Sequence, residues 1–267
     1  MHEPSPAQKA YLARQKRDRR LVVSARLLVF LIFLAQWEVL ARAGWIDSFI
    51  FSSPSMIFNT FVEMAKNHSL FIHIGATLKE TLLSFLFVVV LGLGISILLW
   101  GCPRLAKVLE PYLVVLNSLP KIALGPVIII VVGAGTEAII FMALAISLIV
   151  TVLEMLAGFR ATNPESIKMA RTFGATKRQV FTKIVFPSNI NTLFNSLKIN
   201  IGLSLVGVIA GEFLVSKAGL GYLIVYGGQV FQLDLVMSSV LILSVMAALM
   251  YQSVVLLQKF VSRWFGG

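Results

Sequence analysis

The sequence predicts an all-α integral membrane protein of about six transmembrane helices with both termini cytoplasmic. Three observations carry that prediction. Apolar residues make up 58% of the 267 residues and charged residues only 13%, with a mean hydropathy of +0.88; a soluble domain carries about a quarter of its residues charged. Six apolar runs approach the ~20 residues that a helix needs to cross a bilayer. Lysine and arginine are divided unevenly between the loops that join these runs, as the positive-inside rule requires. Disorder, a collagen-like chain and a disulfide scaffold are excluded, because glycine and proline number only 19 and 9 and Cys102 is the single cysteine.

Taken in order, residues 1–26 form a basic cytoplasmic tail and residues 27–267 a transmembrane domain. The expected spans are 27–43, 81–100, 111–132, 138–156, 193–215 and 235–257. The first has Ala41-Arg42-Ala43 at its end, which resembles a signal-peptidase site. The long charged tail, and Trp37 and Glu38 within the run, favour an uncleaved anchor instead. Between the first two spans, Ser53 is placed to cap a helix that starts at Pro54. Phe58, Phe61, Val62 and Ala65 follow at helical spacing, opposite Asn59, Glu63 and Lys66, as in a helix lying on the outer membrane surface. The third span is the least regular, since Asn117, Pro120, Lys121, Gly125 and Pro126 interrupt it.

Basic residues set the orientation. The tail holds seven, the 101–110 loop two, the 157–191 loop six and the C-terminal end two, so 17 of the 23 lie on one side. Arg42, Lys66, Lys79 and Lys217 lie on the other, and Lys121 and Lys198 fall within spans. The net charge of +11 is therefore a membrane-topology signal, matched to lipid headgroups, and nucleic acid is not an expected partner.

The longest cytoplasmic loop, about residues 157–191, is punctuated as structure. Asn163 caps, Pro164 takes the first helical position, and Glu165 places negative charge in the first turn. Gly174 suits a left-handed helix end, Thr176 with Gln179 has the spacing of a capping box, and Pro187 breaks the chain before the fifth span. Two short helices joined at a glycine make a rigid elbow on which Ile167, Ala170 and Phe173 (or Arg171) share a face. Physical chemistry alone leaves two uses open: insertion into a groove on a partner protein, or contact with lipid headgroups.

The same loop resembles the coupling loop of ATP-binding-cassette importer permeases. That pattern is Glu-Ala-Ala, three residues, Gly, nine residues, then Ile-x-Leu-Pro. Here Lys168-Met169-Ala170, Gly174, Ile184, Phe186 and Pro187 occupy those positions, with Lys168, Met169 and Phe186 departing from it. Trp37-Glu38, Ser53-Pro54-Ser55, His73 with Thr77, residues 119–126, Ala210-Gly211-Glu212 and Ala218-Gly219-Leu220-Gly221-Tyr222 resemble the nitrate/sulfonate/taurine-type branch. Val131-Val132-Gly133 stands where that branch usually carries Trp-Phe-Gly. The resemblance implies a type I importer permease fold and a pore-forming subunit rather than an enzyme, without a cofactor of its own. Its implied partners are cytoplasmic ATPase subunits, an external substrate-binding protein and a second permease copy. Asn163, Pro164, Ile167, Lys168, Ala170, Arg171, Gly174 and Ala175 would couple to the ATPase. The solute would be a small anion such as nitrate, a sulfonate or taurine, although related permeases serve pyrimidine-type vitamin precursors. No Gly-Lys dipeptide occurs in the sequence, which leaves it no Walker A loop. The alternative from another class is a secondary transporter driven by an ion gradient.

Charged groups inside spans are costly and mark function or structure. Glu38, Glu154 and Lys198 lie near span ends, where snorkelling or capping accounts for them. Glu212 is either a hydrogen-bond anchor or a pathway residue. Lys121 either attracts an anion at a broken helix or belongs to a structural ion pair. In the fifth span Ser196, Asn200 and Ser204 form a polar stripe that either packs or lines the pathway, and Gly207 with Gly211 forms a close-packing pair. His68 and His73 lack further ligands for a metal site.

Overall fold

A computed structural model describes residues 6–265. Their regular structure is helical throughout: α1 (Pro6–Arg42), α2 (Ser48–Phe51), α3 (Pro54–Lys66), α4 (Ser69–Gly101), α5 (Pro103–Ser118), a 3-10 turn (Lys121–Leu124) and α6 (Gly125–Val132). There follow α7 (Thr136–Arg160), α8 (Pro164–Thr172), α9 (Lys177–Val180), a π-helical turn (Phe181–Val185), α10 (Phe186–Ser188), α11 (Ile190–Val215), α12 (Leu220–Gln229) and α13 (Leu233–Phe265). Five helices are long and apolar enough to cross a membrane, over Arg20–Arg42, Ser69–Gly101, Thr136–Arg160, Ile190–Val215 and Leu233–Val261.

The first span is the apolar end of a longer helix, because α1 runs unbroken from Pro6 to Arg42. Alanine, glutamine, lysine and arginine are good helix formers, and no glycine or proline falls inside the helix until the chain turns at Gly44, φ +73°. The third expected span is not one helix. α5 and the segment Lys121–Val132 meet at 89°. Pro120 drives Leu119 into extended backbone (ψ 144°), and Pro126 begins a new helix rather than continuing the old one.

α4, α7 and α11 pack together as the centre of the fold, and small residues set how closely. A Cβ on Gly207 would collide with the backbone of Ala143, one on Gly211 would come within 2.9 Å of Ile139 Cα, and one on Gly92 within 2.6 Å of Thr151. Such contacts gain dispersion energy where lipid removes the hydrophobic driving force between helices. α12, α13 and α3 close a second apolar cluster around Leu220, Leu223, Leu243, Met246 and Met64.

α3 begins as expected. Ser53 Oγ accepts from Met56 N–H (3.3 Å), and Glu38 Oε2 accepts from Ser55 N–H (3.0 Å) while pairing with Arg42 (2.6 Å). Ile57 and Met64 are its residues buried against the protein, while Phe58 is 65% exposed. The helix is held against α13 and α4, whose position chooses the face.

Candidate functional site

The first polar centre lies where α4, α11 and α12 meet. A helix start leaves its first N–H groups without intrahelical partners. Here three consecutive donors find side chains from other helices. Gly219 N–H donates to His73 Nδ1 (3.0 Å), Leu220 N–H to Thr77 Oγ1 (2.8 Å) and Gly221 N–H to Glu212 Oε2 (2.5 Å). The Thr77 hydroxyl donates in turn to Glu212 Oε1 (2.6 Å). Glu212 is buried, with both carboxylate oxygens engaged, so it ties α12 to α11 and α4 as a hydrogen-bond anchor. Glycine is required beside it. Gly219 sits at φ +123° with the carboxyl where a Cβ would be, and a Cβ on Gly221 would lie 2.7 Å from Glu212 Oε2.

Beside this anchor opens a cavity of about 460 Å³, bounded by α4, residues 134–136 and residues 215–218. Lys79, Glu80, Thr136, Ser216 and Lys217 are its polar lining. It lies at the end of the bundle where α7 begins and α11 ends. Glu80 is a residue that sequence reasoning passed over, because it stands one position before the expected second span. The signal was present: Thr77, Glu80, Thr81, Ser84, Val88, Gly92 and Ser96 recur at helical spacing and form the buried face of α4.

The second centre is the elbow. Asn163 Oδ1 accepts from Glu165 N–H (2.8 Å), Pro164 opens α8, and Thr176 with Gln179 completes a capping box. Gly174 has φ +79°, its N–H donates to Arg171 O (2.9 Å), and Ala175 N–H reaches back to Ala170 O (3.0 Å), a Schellman ending. The elbow is fastened to the bundle by Lys177, whose ammonium donates to Gly101 O. Phe181 adds to this, its ring 5.0 Å from Trp100 and 5.3 Å from Phe159. Thr162 Oγ1 accepts from Asn189 Nδ2 (2.8 Å) across the loop. The π turn places Pro187, which has no N–H, after the Phe186 N–H has bonded Phe181 O.

The expected outward face of α8 divides. Ile167 and Ala170 turn inward against the cluster of Met155, Phe159, Val180 and Val185. Phe173 (84% exposed) and Met169 (60% exposed) carry the outward apolar surface, beside the exposed Lys168 and Arg171. The inner cluster needs apolar residues to seal it, and this claims the two that helical spacing had assigned outward.

The remaining candidates separate as well. Lys121 is in neither of the ion pairs among the described residues. Its ammonium donates to Asn117 O (2.7 Å) and Oδ1 (3.3 Å), satisfying a carbonyl at the end of α5. Ser196, Asn200 and Ser204 are buried between helices rather than facing open space. Asn200 Oδ1 accepts from Thr151 Oγ1 (2.9 Å) and Asn200 Nδ2 donates to Ser196 Oγ (3.2 Å), so the stripes of α7 and α11 mate with each other. Among the described residues no cluster of three or more metal-ligating side chains forms.

Residues 88–267 match the family described as binding-protein-dependent transport system inner membrane component. The formylaminopyrimidine transport permease protein of Halalkalibacterium halodurans is 28% identical over 195 residues, covering 73% of this chain and 77% of its own length. The taurine transport system permease protein of Escherichia coli is 23% identical over 241 residues, 88% and 87% of the two chains. A bacterial ABC transporter that imports the acidic polysaccharide alginate superposes with a TM-score of 0.65 at 17% identity, covering 94% of this chain and 99% of its own. A bacterial alginate ABC transporter in complex with an alginate pentasaccharide-bound periplasmic protein gives 0.60 at 16% identity, covering 93% and 96%.

Proposed function

This chain belongs to the family of binding-protein-dependent transport system inner membrane components, and from that membership, and from its likeness to sulfonate and taurine permeases, we propose how it works. It is a membrane-embedded translocation subunit of an ABC importer, and membership disfavours the ion-gradient alternative. The elbow of α8 is its coupling element. α8 docks in a groove on a cytoplasmic ATPase subunit through Phe173 and Met169, with Lys168 and Arg171 around them. Both termini and the elbow face the cytoplasm, where 17 of the 23 lysines and arginines lie. Two copies of the chain enclose the pathway between them, and an external binding protein delivers the solute to the opposite end. The solute is a small polar molecule, as the formylaminopyrimidine and taurine permeases suggest by their names. ATP hydrolysis occurs on the partner.

The observation that carries the proposal is the outward pair Phe173 and Met169 on a turn whose other face is locked to the bundle. A large exposed aromatic beside a rigid helix end is the anatomy of an interface anchor. Co-purification of the permease with its ATPase partner, followed by uptake in proteoliposomes, tests the reading. ATP-dependent uptake is expected, and uptake driven by an ion gradient without ATP would overturn it.

A further inference from the structure

We infer that Glu80 and Glu212 are joined by one shared proton, carried on Glu80, and that this proton fastens α4 to α11 and α12 at the end of the bundle opposite the elbow. The arrangement does not depend on the importer reading, only on how the two carboxyl groups meet. Both are buried, Glu80 at 6% exposure and Glu212 at 1%. Their side chains hydrogen-bond to each other. Two carboxylates cannot do so, because an ionised carboxyl only accepts. Like charges in contact and away from water do not both ionise. One member of the pair therefore carries a proton.

Their other partners show which one. Glu212 accepts from Thr77 Oγ1 on one oxygen (2.6 Å) and from Gly221 N–H on the other (2.5 Å), and two donors favour the ionised form. Glu80 accepts only from Thr136 Oγ1, at Oε1 (3.2 Å), while its Oε2 receives no hydrogen bond from the described residues. That oxygen lies against the Glu212 carboxyl. As an acid O–H it donates to Glu212, and no buried oxygen of the pair is left unmet. The cavity that Glu80 lines gives the proton a route to water. Alkaline pH removes it and leaves two carboxylates in contact, which drives α4 away from α11 and α12. The folded protein holds a proton here that an unfolded carboxyl gives up, so stability falls as pH rises. Other titratable groups border the pair: Lys79 and Lys217 on the cavity wall, Glu137 beside Gly135, and His73, which accepts from Gly219 N–H and stacks on Tyr222. Ordinary carboxyl and imidazole groups titrate below neutrality, and ordinary lysine and tyrosine at about pH 10.

Glu80→Gln tests the assignment, because an amide N–H in that place donates to Glu212 as the acid O–H does and is not removed by base. Thermal melts of the full-length permease in nanodiscs should show wild type losing roughly 3–5 °C for each pH unit above neutrality. Glu80→Gln should match wild type at neutral pH and stay level above it, and the other bordering groups are common to both proteins. Infrared spectra should show a protonated-carboxyl band at neutral pH that disappears in base and is missing from Glu80→Gln. They are recorded in a Glu154→Gln background, since Glu154 Oε2 is the other buried carboxyl oxygen without a hydrogen bond among the described residues. Should Glu80→Gln not fold, the band and its loss over the pH range in which wild type loses stability decide the matter. No band at neutral pH, a band that persists in Glu80→Gln, or equal alkaline losses in the two proteins would each overturn the inference.

Discussion

Glu212 Oε2 accepts the backbone N–H of Gly221 at 2.5 Å, and the space a Gly221 Cβ would need is filled by that same carboxylate. The two residues are nine positions apart, at the end of one helix and the start of the next. The acid supplies an acceptor for a helix start, and the glycine lets it approach. Thr77 extends the arrangement to a third helix, since its hydroxyl accepts from Leu220 and donates to Glu212.

Interlocking of this kind predicts non-additivity. Glu212→Gln should lower the unfolding free energy of the purified permease by about 1–3 kcal/mol, because an amide cannot accept from both Thr77 and Gly221. Gly221→Ala should also destabilise wild type, and less so when combined with Glu212→Ala, which removes Oε2 from the path of the new methyl but leaves the residue-212 Cβ 2.9 Å from it. Thermal melts of wild type, Gly221→Ala, Glu212→Ala and the double variant give the coupling energy directly. Additive losses would mean that the contact does not link the two residues energetically.

Close packing of α7 on α11 predicts that Gly207→Ala is severe for so small a change. The new methyl meets the Ala143 backbone, which cannot rotate away as a side chain can. Overpacking of this kind costs roughly 1–3 kcal/mol. Gly202→Ala, on the same helix and in open space, is the control and should leave the melting temperature near that of wild type.

At the elbow, Phe173→Ala should weaken ATPase co-purification by tenfold or more, since truncating an interface anchor typically costs about 2 kcal/mol or more. Gly174→Val should also abolish coupling, for a different reason: a β-branched residue is strained at φ +79° and would re-aim the chain into α9. Lys168→Ala should have a mild effect. Membrane insertion, which depends on the apolar spans, should be normal for all three. Pull-down from equal amounts of membrane-inserted permease measures the differences.

Lys121→Gln should change folded yield little. Its bonds go to the carbonyl and side chain of Asn117 at an accessible helix end, where the interaction contributes about 0.3–1 kcal/mol. A large loss of yield would reveal a carboxylate partner supplied by another chain. A large loss of transport at normal yield would return Lys121 to the solute pathway.

Much of this protein was legible as sequence because its signals are local. Apolar runs set four of the six expected spans as single helices, and the first as the apolar end of a longer one. Caps and breakers were read with similar success. Asn163, Thr176 with Gln179, and Gly174 each act through a backbone group within about five residues, so the sequence alone contains both partners. The 89° bend at Leu119–Pro120 had its cause visible in Pro120, but its size depended on where α5 and α6 came to rest.

What tertiary structure alone decided was which way a residue faces and what it meets. Helical spacing put Ile167, Ala170 and Phe173 together; the cluster around Phe159 took the first two inward and left Phe173 outside. Ser196, Asn200 and Ser204 had the polarity of a pathway, yet the stripe on α7 lay opposite them, and Thr151 and Asn200 satisfied each other. Glu212 could be flagged as a costly charge, but its partners stand up to 135 positions away on α4. Glu80 gained its place only when residues 134–136 and 215–218 closed around it. Periodicity, composition and capping act along the chain and are written in the sequence, whereas burial and partnership arise between helices that only packing brings together.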